Sequence, residues 1–175
     1  MAEFAPAYNF MAPHEVLRYH QPGEVAYTDT PGDKGGPRAW GITEATAREH
    51  GFSAPMSTMM ELDAIYIYKA AYWKFAEVEN QRVASKLFDA AVNMGVSRAV
   101  KQAQRALRFA PQDWDGKLGP VTLRAINAAD PKLFLADYCA QLISRYHAIV
   151  AQDPSQEKFL LGWTIRALAL PPEAR

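Results

Sequence analysis

Apolar and polar positions alternate with a helical period along most of the chain. Apolar residues recur three or four positions apart, which is the spacing of one face of an amphipathic helix. This pattern predicts helices at residues 12–20, 43–51, 57–79, 83–95, 96–109, 120–127, 130–152 and 155–170. We therefore expect a mainly α fold of about seven or eight helices.

Capping residues locate several helix starts. Asp130 followed by Pro131 is the clearest signal, because aspartate caps a first turn and proline fits the first helical position. Pro13 suits the first turn of the first helix. Ser57 or Thr58 can cap the helix over 57–79, with Glu61 completing a capping box. The face of that helix predicted to be buried comprises Met59, Leu62, Ile65, Tyr66, Ala70 and Trp73.

Residues 24–43 interrupt the helical pattern. The segment is rich in glycine and proline and shows no period of 3.6, so it predicts turns or a small, irregular β-hairpin. Thr43 ends it as the N-cap of the next helix, which Gly51 closes. Because loops longer than about 12 residues in compact domains are usually functional, we expect a site here.

Composition narrows the class of protein. At 175 residues the chain is one domain, or one domain with two lobes, and 49% apolar residues are enough for a core. No apolar run is long enough to span a membrane, and no basic cluster with interleaved aromatics indicates nucleic-acid binding. Cys139 lies in an apolar helical pattern and is expected in the core. The four histidines lack metal-ligand spacing, so we expect neither metal nor cofactor.

Charge is unevenly divided although the formal net charge is zero. Residues 1–80 carry six basic and eleven acidic side chains, a net charge of −5, whereas residues 81–175 carry thirteen basic and eight acidic ones, a net charge of +5. This asymmetry favours an anionic partner for the second half of the chain, with a solvated helix face as the plain alternative.

Glu24 stands at the entrance of the 24–43 segment, beside aromatic residues. Partial burial there would raise the pKa of its carboxyl, and a carboxyl protonated near neutral pH can act as a general acid. Asp29 and Asp33 follow five and nine residues later, across the turns. Glycoside hydrolysis needs such a pair, one group to protonate the leaving oxygen and another to hold water or stabilise positive charge. Solvated loop acids remain the alternative on these residues alone.

The same segment resembles the signature of glycoside hydrolase family 108, the N-acetylmuramidase endolysins. Glu24, Tyr27, Asp33 and Gly35-Gly36 match its pattern, which closes on Trp40-Gly41-Ile42-Thr43. Downstream, "IYKAAYW" and "FDAAVNMG" resemble further motifs of the family, and "AQRAL" with "DGKLGPVTLRAIN" resembles a predicted peptidoglycan domain. Val25-Ala26 departs from the Gly-Gly of the family, and Lys34 from a proline. The resemblance covers about residues 13–165 in the right order.

The resemblance implies a lysozyme-like, two-lobed fold, with lobes at residues 13–80 and 81–170 and a cleft between them. It implies cleavage of the β-1,4 bond between N-acetylmuramic acid and N-acetylglucosamine in peptidoglycan. Glu24 would be the general acid, and Asp33 and Thr43 would position water or stabilise the transition state. Asp29 is the rival of Asp33, and inversion and retention both stay open.

Four further residues are candidates for substrate binding. The resemblance assigns Tyr27 to the site. Tyr72 and Trp73 would stack on sugar rings, with core packing as the alternative. Asn93 would bind an N-acetyl group, or instead serve the C-terminal end of a helix before Gly95.

Two other classes remain open at this point: a non-catalytic peptidoglycan-binding or structural relative, and a lytic transglycosylase. The first residues include Glu3 and lack the basic region of a signal peptide, so we expect synthesis in the host cytoplasm. The enzyme would then act on the cell wall in the periplasm after release, through a phage holin or by a secretion system. We expect a monomer.

Overall fold

The computed structural model describes residues 1–15, 26–29 and 36–173. Over these residues it contains eight α-helices and one antiparallel sheet of three short strands. The elements in chain order are α1 (Phe4–Glu15), β1 (Tyr27–Thr28), β2 (Arg38–Ala39), β3 (Ile42–Thr43), α2 (Glu44–Glu49), α3 (Glu61–Tyr72), α4 (Gln81–Met94), α5 (Val96–Ala106), α6 (Pro120–Ala128), α7 (Pro131–Gln152) and α8 (Glu157–Leu168). The predicted mainly α, lysozyme-like fold with a small β element near residues 24–43 is confirmed.

The chain divides into two compact units. The smaller unit is Tyr8–Trp73, and the larger unit is Met1–Ala7 with Lys74–Arg175. The smaller unit holds the sheet with α2 and α3, and the larger unit holds α4 to α8.

The first helix begins earlier than the sequence pattern predicted. Residues 4–15 form α1, and Pro13 lies in its last turn instead of its first. The missed signal is a run of apolar positions at helical spacing before Pro13. Four of them are buried: Ala7, Tyr8, Met11 and Ala12. Burial of this face, and not the proline, determines where the helix begins.

The prediction for α3 was wrong in its cap and in its buried face. The helix starts at Glu61 with Met60 as N-cap, and the Asp63 carboxylate accepts a 3.0 Å hydrogen bond from the Met60 backbone N–H. Thr58 ends a short 3-10 turn instead, and its hydroxyl donates to the Pro55 carbonyl. A different face of the helix packs inward. Ala64, Ile67 and Tyr68 are buried, whereas Leu62 and Tyr66 of the predicted face are 71% and 65% exposed.

The helices predicted from residue 83 onward are confirmed. The helix predicted over 57–79 extends too far, because α3 ends at Tyr72 and residues 73–79 are not helical. Asp130 caps α7 through its side chain, which accepts from the backbone N–H groups of Lys132 and Leu133, and Pro131 is the first helical residue. Gly95, with φ of 88°, separates α4 from α5. Cys139 is buried in α7, as expected of a core residue, and burial raises the pKa of its thiol.

A buried ionic network joins α4 to α8. The Arg166 guanidinium donates to the Asp89 carboxylate at 3.0 Å and to the Asp89 carbonyl at 3.1 Å. The Lys86 ammonium lies 3.8 Å from the same carboxylate and donates to the carbonyls of Arg166 and Ala169. Lys86 and Asp89 are 0% and 2% exposed, and burial lowers the pKa of Lys86. The aspartate of "FDAAVNMG" is therefore a structural residue of α4.

A second polar cluster fixes the turn between α5 and α6. The Gln104 side chain donates to the Asp115 carboxylate at 2.7 Å and to the Thr122 hydroxyl at 3.2 Å, and it accepts from the Gly116 backbone N–H at 3.0 Å. Gly116 has φ of 73°, and a Cβ there would lie 2.6 Å from the Ser97 carbonyl oxygen. The Asp-Gly of "DGKLGPVT" therefore has a structural role in this turn.

Within the described part of the chain, no helix is both long and apolar enough to span a membrane.

Candidate active site

The structure describes only some of the predicted site residues. Glu24 and Asp33, the predicted acid and second carboxylate, lie outside the described residues. Thr43, Tyr27 and Tyr72 lie in the smaller unit together with Trp73 and the rival carboxylate Asp29. Asn93 lies in the larger unit, on α4.

The turn Trp40-Gly41 organises the described part of the site. It joins β2 to β3, where Ala39 pairs with Ile42, and both turn residues have positive φ, 54° for Trp40 and 76° for Gly41. Two positive φ values are typical of the tight hairpin turn whose twist matches that of the strands. A tryptophan rarely adopts this conformation, so the surrounding structure must hold it there.

Three hydrogen bonds hold Trp40. Its backbone N–H donates to the Ala26 carbonyl at 2.6 Å, and its indole N–H donates to the Met59 carbonyl at 2.9 Å. Its own carbonyl accepts from the Tyr68 hydroxyl at 2.8 Å. The residue before β1, the segment before α3, and α3 itself therefore all fix one residue of the "WGIT" motif.

Gly41 is required by space as well as by its backbone angle. A Cβ at this position would lie 2.9 Å from the Tyr68 hydroxyl oxygen and 3.4 Å from the Glu15 carbonyl oxygen. This close approach brings the end of α1 beside the hairpin. Ala26 stands where the resemblance has a glycine, but its backbone is not strained. Among the described residues, the non-glycine residues with positive φ are Trp40 and Arg108, and Ala26 is not one of them.

Thr43 occupies the foot of the hairpin and caps α2, as the sequence predicted. Its hydroxyl oxygen accepts from the Thr46 backbone N–H at 3.3 Å, and the two threonine hydroxyls are hydrogen-bonded at 3.0 Å. Both side chains are half-buried. The N-cap geometry thus fixes the position of the Thr43 hydroxyl.

Thr46 lies near both Thr43 and Tyr72, a proximity that sequence reasoning missed. Burial is the main cause that raises the pKa of Tyr72; the Thr46 side chain lowers this pKa, and the carboxylates of Glu15 and Glu49 raise it further. Two of the predicted site residues, Thr43 and Tyr72, therefore share Thr46 as a neighbour. The T-x-x-T spacing at the helix start was the available signal.

Glu15 is a second residue that the sequence did not single out. It ends α1, its Cβ lies 3.7 Å from the place that a Cβ at Gly41 would take, and its charge acts on Tyr72. The backbone and the Cβ of an acidic residue therefore lie beside the hairpin turn. Glu15 and Gly41 are far apart in the sequence and share no local pattern, so only the fold reveals their proximity.

Tyr27 and Asp29 lie together on and after β1. Tyr27 pairs with Ala39 across the sheet, and its hydroxyl donates a long hydrogen bond of 3.5 Å to the Asp29 carboxylate. Desolvation, followed by the charge of Asp29, raises the pKa of Tyr27. Asp29 is exposed, and the Tyr27 hydroxyl is a described group that contacts the rival carboxylate.

Trp73 and Asn93 occupy other positions. Trp73 is half-buried at the C-terminal end of α3. Asn93 lies in the last turn of α4, where its side-chain oxygen accepts a 2.7 Å hydrogen bond from the Tyr146 hydroxyl and where it lines a pocket of about 200 Å³. Asn93 thus belongs to a polar pocket of the larger unit.

Comparisons with known proteins show which families and structures the chain is similar to. Residues 19–95 match the family model described as Glycosyl hydrolase 108, and residues 98–168 match the one described as Predicted Peptidoglycan domain. No curated protein matches the chain. Among solved structures, the chain is similar to SagA of Brucella abortus, with 29% sequence identity and a TM-score of 0.65, over 81% of this chain and 80% of that one.

Proposed function

We propose, from the premise that this chain belongs to the glycosyl hydrolase 108 family and carries a predicted peptidoglycan domain, that it is an N-acetylmuramidase. It is a glycoside hydrolase that acts on peptidoglycan. The finer proposal is that it cleaves the β-1,4 bond between N-acetylmuramic acid and N-acetylglucosamine. Such cleavage needs a carboxylic acid to protonate the leaving oxygen and a second group to direct water or stabilise charge.

The family match over residues 19–95 is the observation that carries the proposal, because it spans Glu24, Asp33 and Thr43 together. Glu24 is proposed as the general acid. Asp33 is proposed to direct water or stabilise the positive charge of the transition state, with Asp29 as its rival. The position of Thr43 supports its proposed role. The α2 cap fixes its hydroxyl at the foot of the hairpin, and hydrogen bonds to Trp40 hold the strained turn of that hairpin.

Aromatic and amide side chains complete the proposed substrate contacts. Tyr27 lies on the sheet and Tyr72 lies near Thr46, and each carries a hydroxyl for a sugar. Trp73 is half-buried, and its ring is suited to stacking on a sugar face. Asn93 is proposed to donate its amide N–H to an N-acetyl or peptide carbonyl. Its side-chain oxygen is already engaged by Tyr146, which leaves the amide nitrogen to face a ligand.

Mass spectrometry of products from purified sacculi tests the reaction. The proposal predicts fragments with reducing N-acetylmuramic acid ends. Anhydro-muramic ends would identify a lytic transglycosylase, in which one carboxyl serves as acid and base in turn. Absence of any product would identify a non-catalytic peptidoglycan-binding relative.

The proposed place of action is the cell wall, reached from the host cytoplasm by an endolysin route. Expression in a Gram-negative host with and without a co-expressed holin tests this route. Lysis that depends on the holin is expected. Lysis of equal rate without the holin would contradict that route, and delivery by a secretion system would then be the explanation to pursue.

A further inference from the structure

A pocket of about 200 Å³ opens in the larger unit between α4, the start of α5, α7 and α8. Its polar lining comes from Asn93, Arg98 and Arg145, and its apolar lining includes Ile149 and Trp163. None of these residues except Asn93 has a part in the proposed cleavage of the glycan. A pocket with two arginines and an indole has the composition of a site for an anion with an apolar portion.

Arg145 brings a positive charge to this pocket with no anion beside it among the described residues. Its Nε atom is buried and has no hydrogen-bond partner there, and no described carboxylate forms an ion pair with it. Burial lowers the pKa of Arg145, and the positive charges of Arg98 and Arg105 lower it further. Within the described part of the chain, the half-buried Arg145 side chain therefore has a buried Nε–H without an acceptor and no negative charge that compensates its own.

The neighbours of Arg145 are held in fixed positions. The Tyr146 ring stacks on the Trp163 ring at a centroid distance of 5.2 Å, and the Tyr146 hydroxyl donates to the Asn93 side-chain oxygen. Tyr146 is buried, so this arrangement is part of the packed unit. It turns the Asn93 amide nitrogen into a donor placed in the same pocket as the guanidinium groups. Carboxylate recognition by arginine gains from such fixed donors.

We propose that this pocket binds a free carboxylate of the peptidoglycan stem peptide, a specificity that rests on the proposed action on peptidoglycan. The pocket is smaller than the roughly 300–1,000 Å³ of sites for larger ligands, so it suits a group of amino-acid size. In intact peptidoglycan the lactyl group of muramic acid is amide-linked to the peptide and carries no free carboxylate. The stem peptide is therefore the source of carboxylates on the intact substrate.

Isothermal titration with a soluble peptide tests the proposal directly. The probe is L-alanyl-γ-D-glutamyl-diaminopimelate, and its analogue with amidated carboxylates is the reference ligand. The variants are Arg145→Met and, as matched control, Lys132→Met, which removes the same charge from an exposed position on the same helix. Arg145→Met should weaken binding of the charged peptide about 10–100-fold, as expected for loss of hydrogen bonds to a charged group. The Lys132→Met variant should bind as the parent does.

Two further comparisons make the outcome unambiguous. The amidated peptide should bind the parent weakly, and Arg145→Met should bind it with the same weak affinity. Equal affinity of parent and Arg145→Met for the charged peptide, or an equal loss in Lys132→Met, would overturn the proposal. Glycan strands freed of peptide expose the lactyl carboxylates of muramic acid and serve as a third ligand. If Arg145→Met weakened binding of these strands but not of the peptide, the stem-peptide assignment would be overturned.

Titration needs no bond cleavage, so the two proposals fail separately. Peptide binding that depends on Arg145 together with absent glycan cleavage would overturn only the hydrolase assignment. Glycan cleavage with reducing muramic ends but no Arg145-dependent peptide binding would overturn only the pocket assignment. Thermal melting of Arg145→Met at the parental temperature confirms that a loss of binding reflects the pocket.

Discussion

The Tyr68 hydroxyl donates a 2.8 Å hydrogen bond to the carbonyl oxygen of Trp40, and this bond ties α3 to the turn between β2 and β3. Trp40 is held with φ of 54°, a conformation that costs on the order of 1–3 kcal/mol for a residue with a side chain. The bonds to Tyr68, Met59 and Ala26 offset that cost. They keep the hairpin in the shape that presents Thr43 at its foot.

Substitution of Gly41 by alanine should destabilise the protein more than substitution of Gly51. Both glycines have positive φ, so each alanine costs about 1–2 kcal/mol in backbone strain. Only at Gly41 would the new Cβ also press on the Tyr68 hydroxyl, at 2.9 Å, whereas Gly51 has open space. Thermal melting of the two variants measures the difference. Equal melting temperatures would show that the turn can relax away from Tyr68.

The buried Asp89 should be far more important to stability than an exposed ion-pair partner. Asp89→Ala leaves Arg166 and Lys86 buried without their anion, and we expect a loss of about 3–5 kcal/mol in the free energy of unfolding. Glu44→Ala breaks a pair with Arg48 that is exposed on both sides, and should cost only about 0.3–0.5 kcal/mol. Urea titration of both variants measures the two losses in the free energy of unfolding. A loss of similar size in each would contradict the network described for α4 and α8.

This network also bears on where the chain can be divided. The two family matches meet between residues 95 and 98, yet Asp89 on one side binds Arg166 on the other. The Tyr146 hydroxyl on the second side likewise binds Asn93 on the first. Helix α4 therefore belongs structurally with the predicted peptidoglycan domain, although the family match assigns it to the hydrolase.

Thr43 has a structural role that must be separated from its proposed catalytic one. Thr43→Ala should cost about 1 kcal/mol by loss of the cap and should also lower turnover. Thr43→Asn supplies another good capping side chain but removes the hydroxyl. We expect its melting temperature to return towards the parental value while turnover stays low. Recovery of turnover together with stability would restrict Thr43 to capping.

The identity of the second carboxylate is tested by a pair of isosteric variants. Asp33→Asn should lower turnover strongly, because the amide carries no charge to direct water or stabilise the transition state. Asp29→Asn should have a much smaller effect, since Asp29 is exposed and contacts Tyr27 only through a long hydrogen bond. Turnover on purified sacculi is the measurement. The reverse order would transfer the role to Asp29.

Local signals in the sequence were sufficient for some elements and misleading for others. The caps at Thr43 and Asp130 were predicted correctly because each depends on side chains within three residues. The predicted start of α1 was wrong because Pro13 was taken as the start signal and the apolar positions before it were not. The predicted buried face of α3 was wrong because apolar residues occur on more than one face and tertiary packing selects among them.

In the candidate site, too, local features could be predicted from the sequence and long-range contacts could not. The pattern from Trp40 to Thr43 was visible in sequence, but its strained turn and the Tyr68 bond across 28 positions were not. Thr46 was not predicted as part of the site because a threonine in a first helical turn is common. The pairing of Asp89 with Arg166 spans 77 positions, so no local pattern could reveal it.

Glu24 is proposed as the general acid, and turnover of Glu24→Gln on outer-membrane-permeabilised Gram-negative cells tests this role most directly. Glutamine keeps the size of the side chain but cannot supply the proton, so turnover should fall at least about 10²–10⁴-fold. Glu79→Gln, at an exposed position, removes the same charge and should leave turnover unchanged. Near-parental turnover in Glu24→Gln, with melting temperatures equal among the three proteins, would contradict the account.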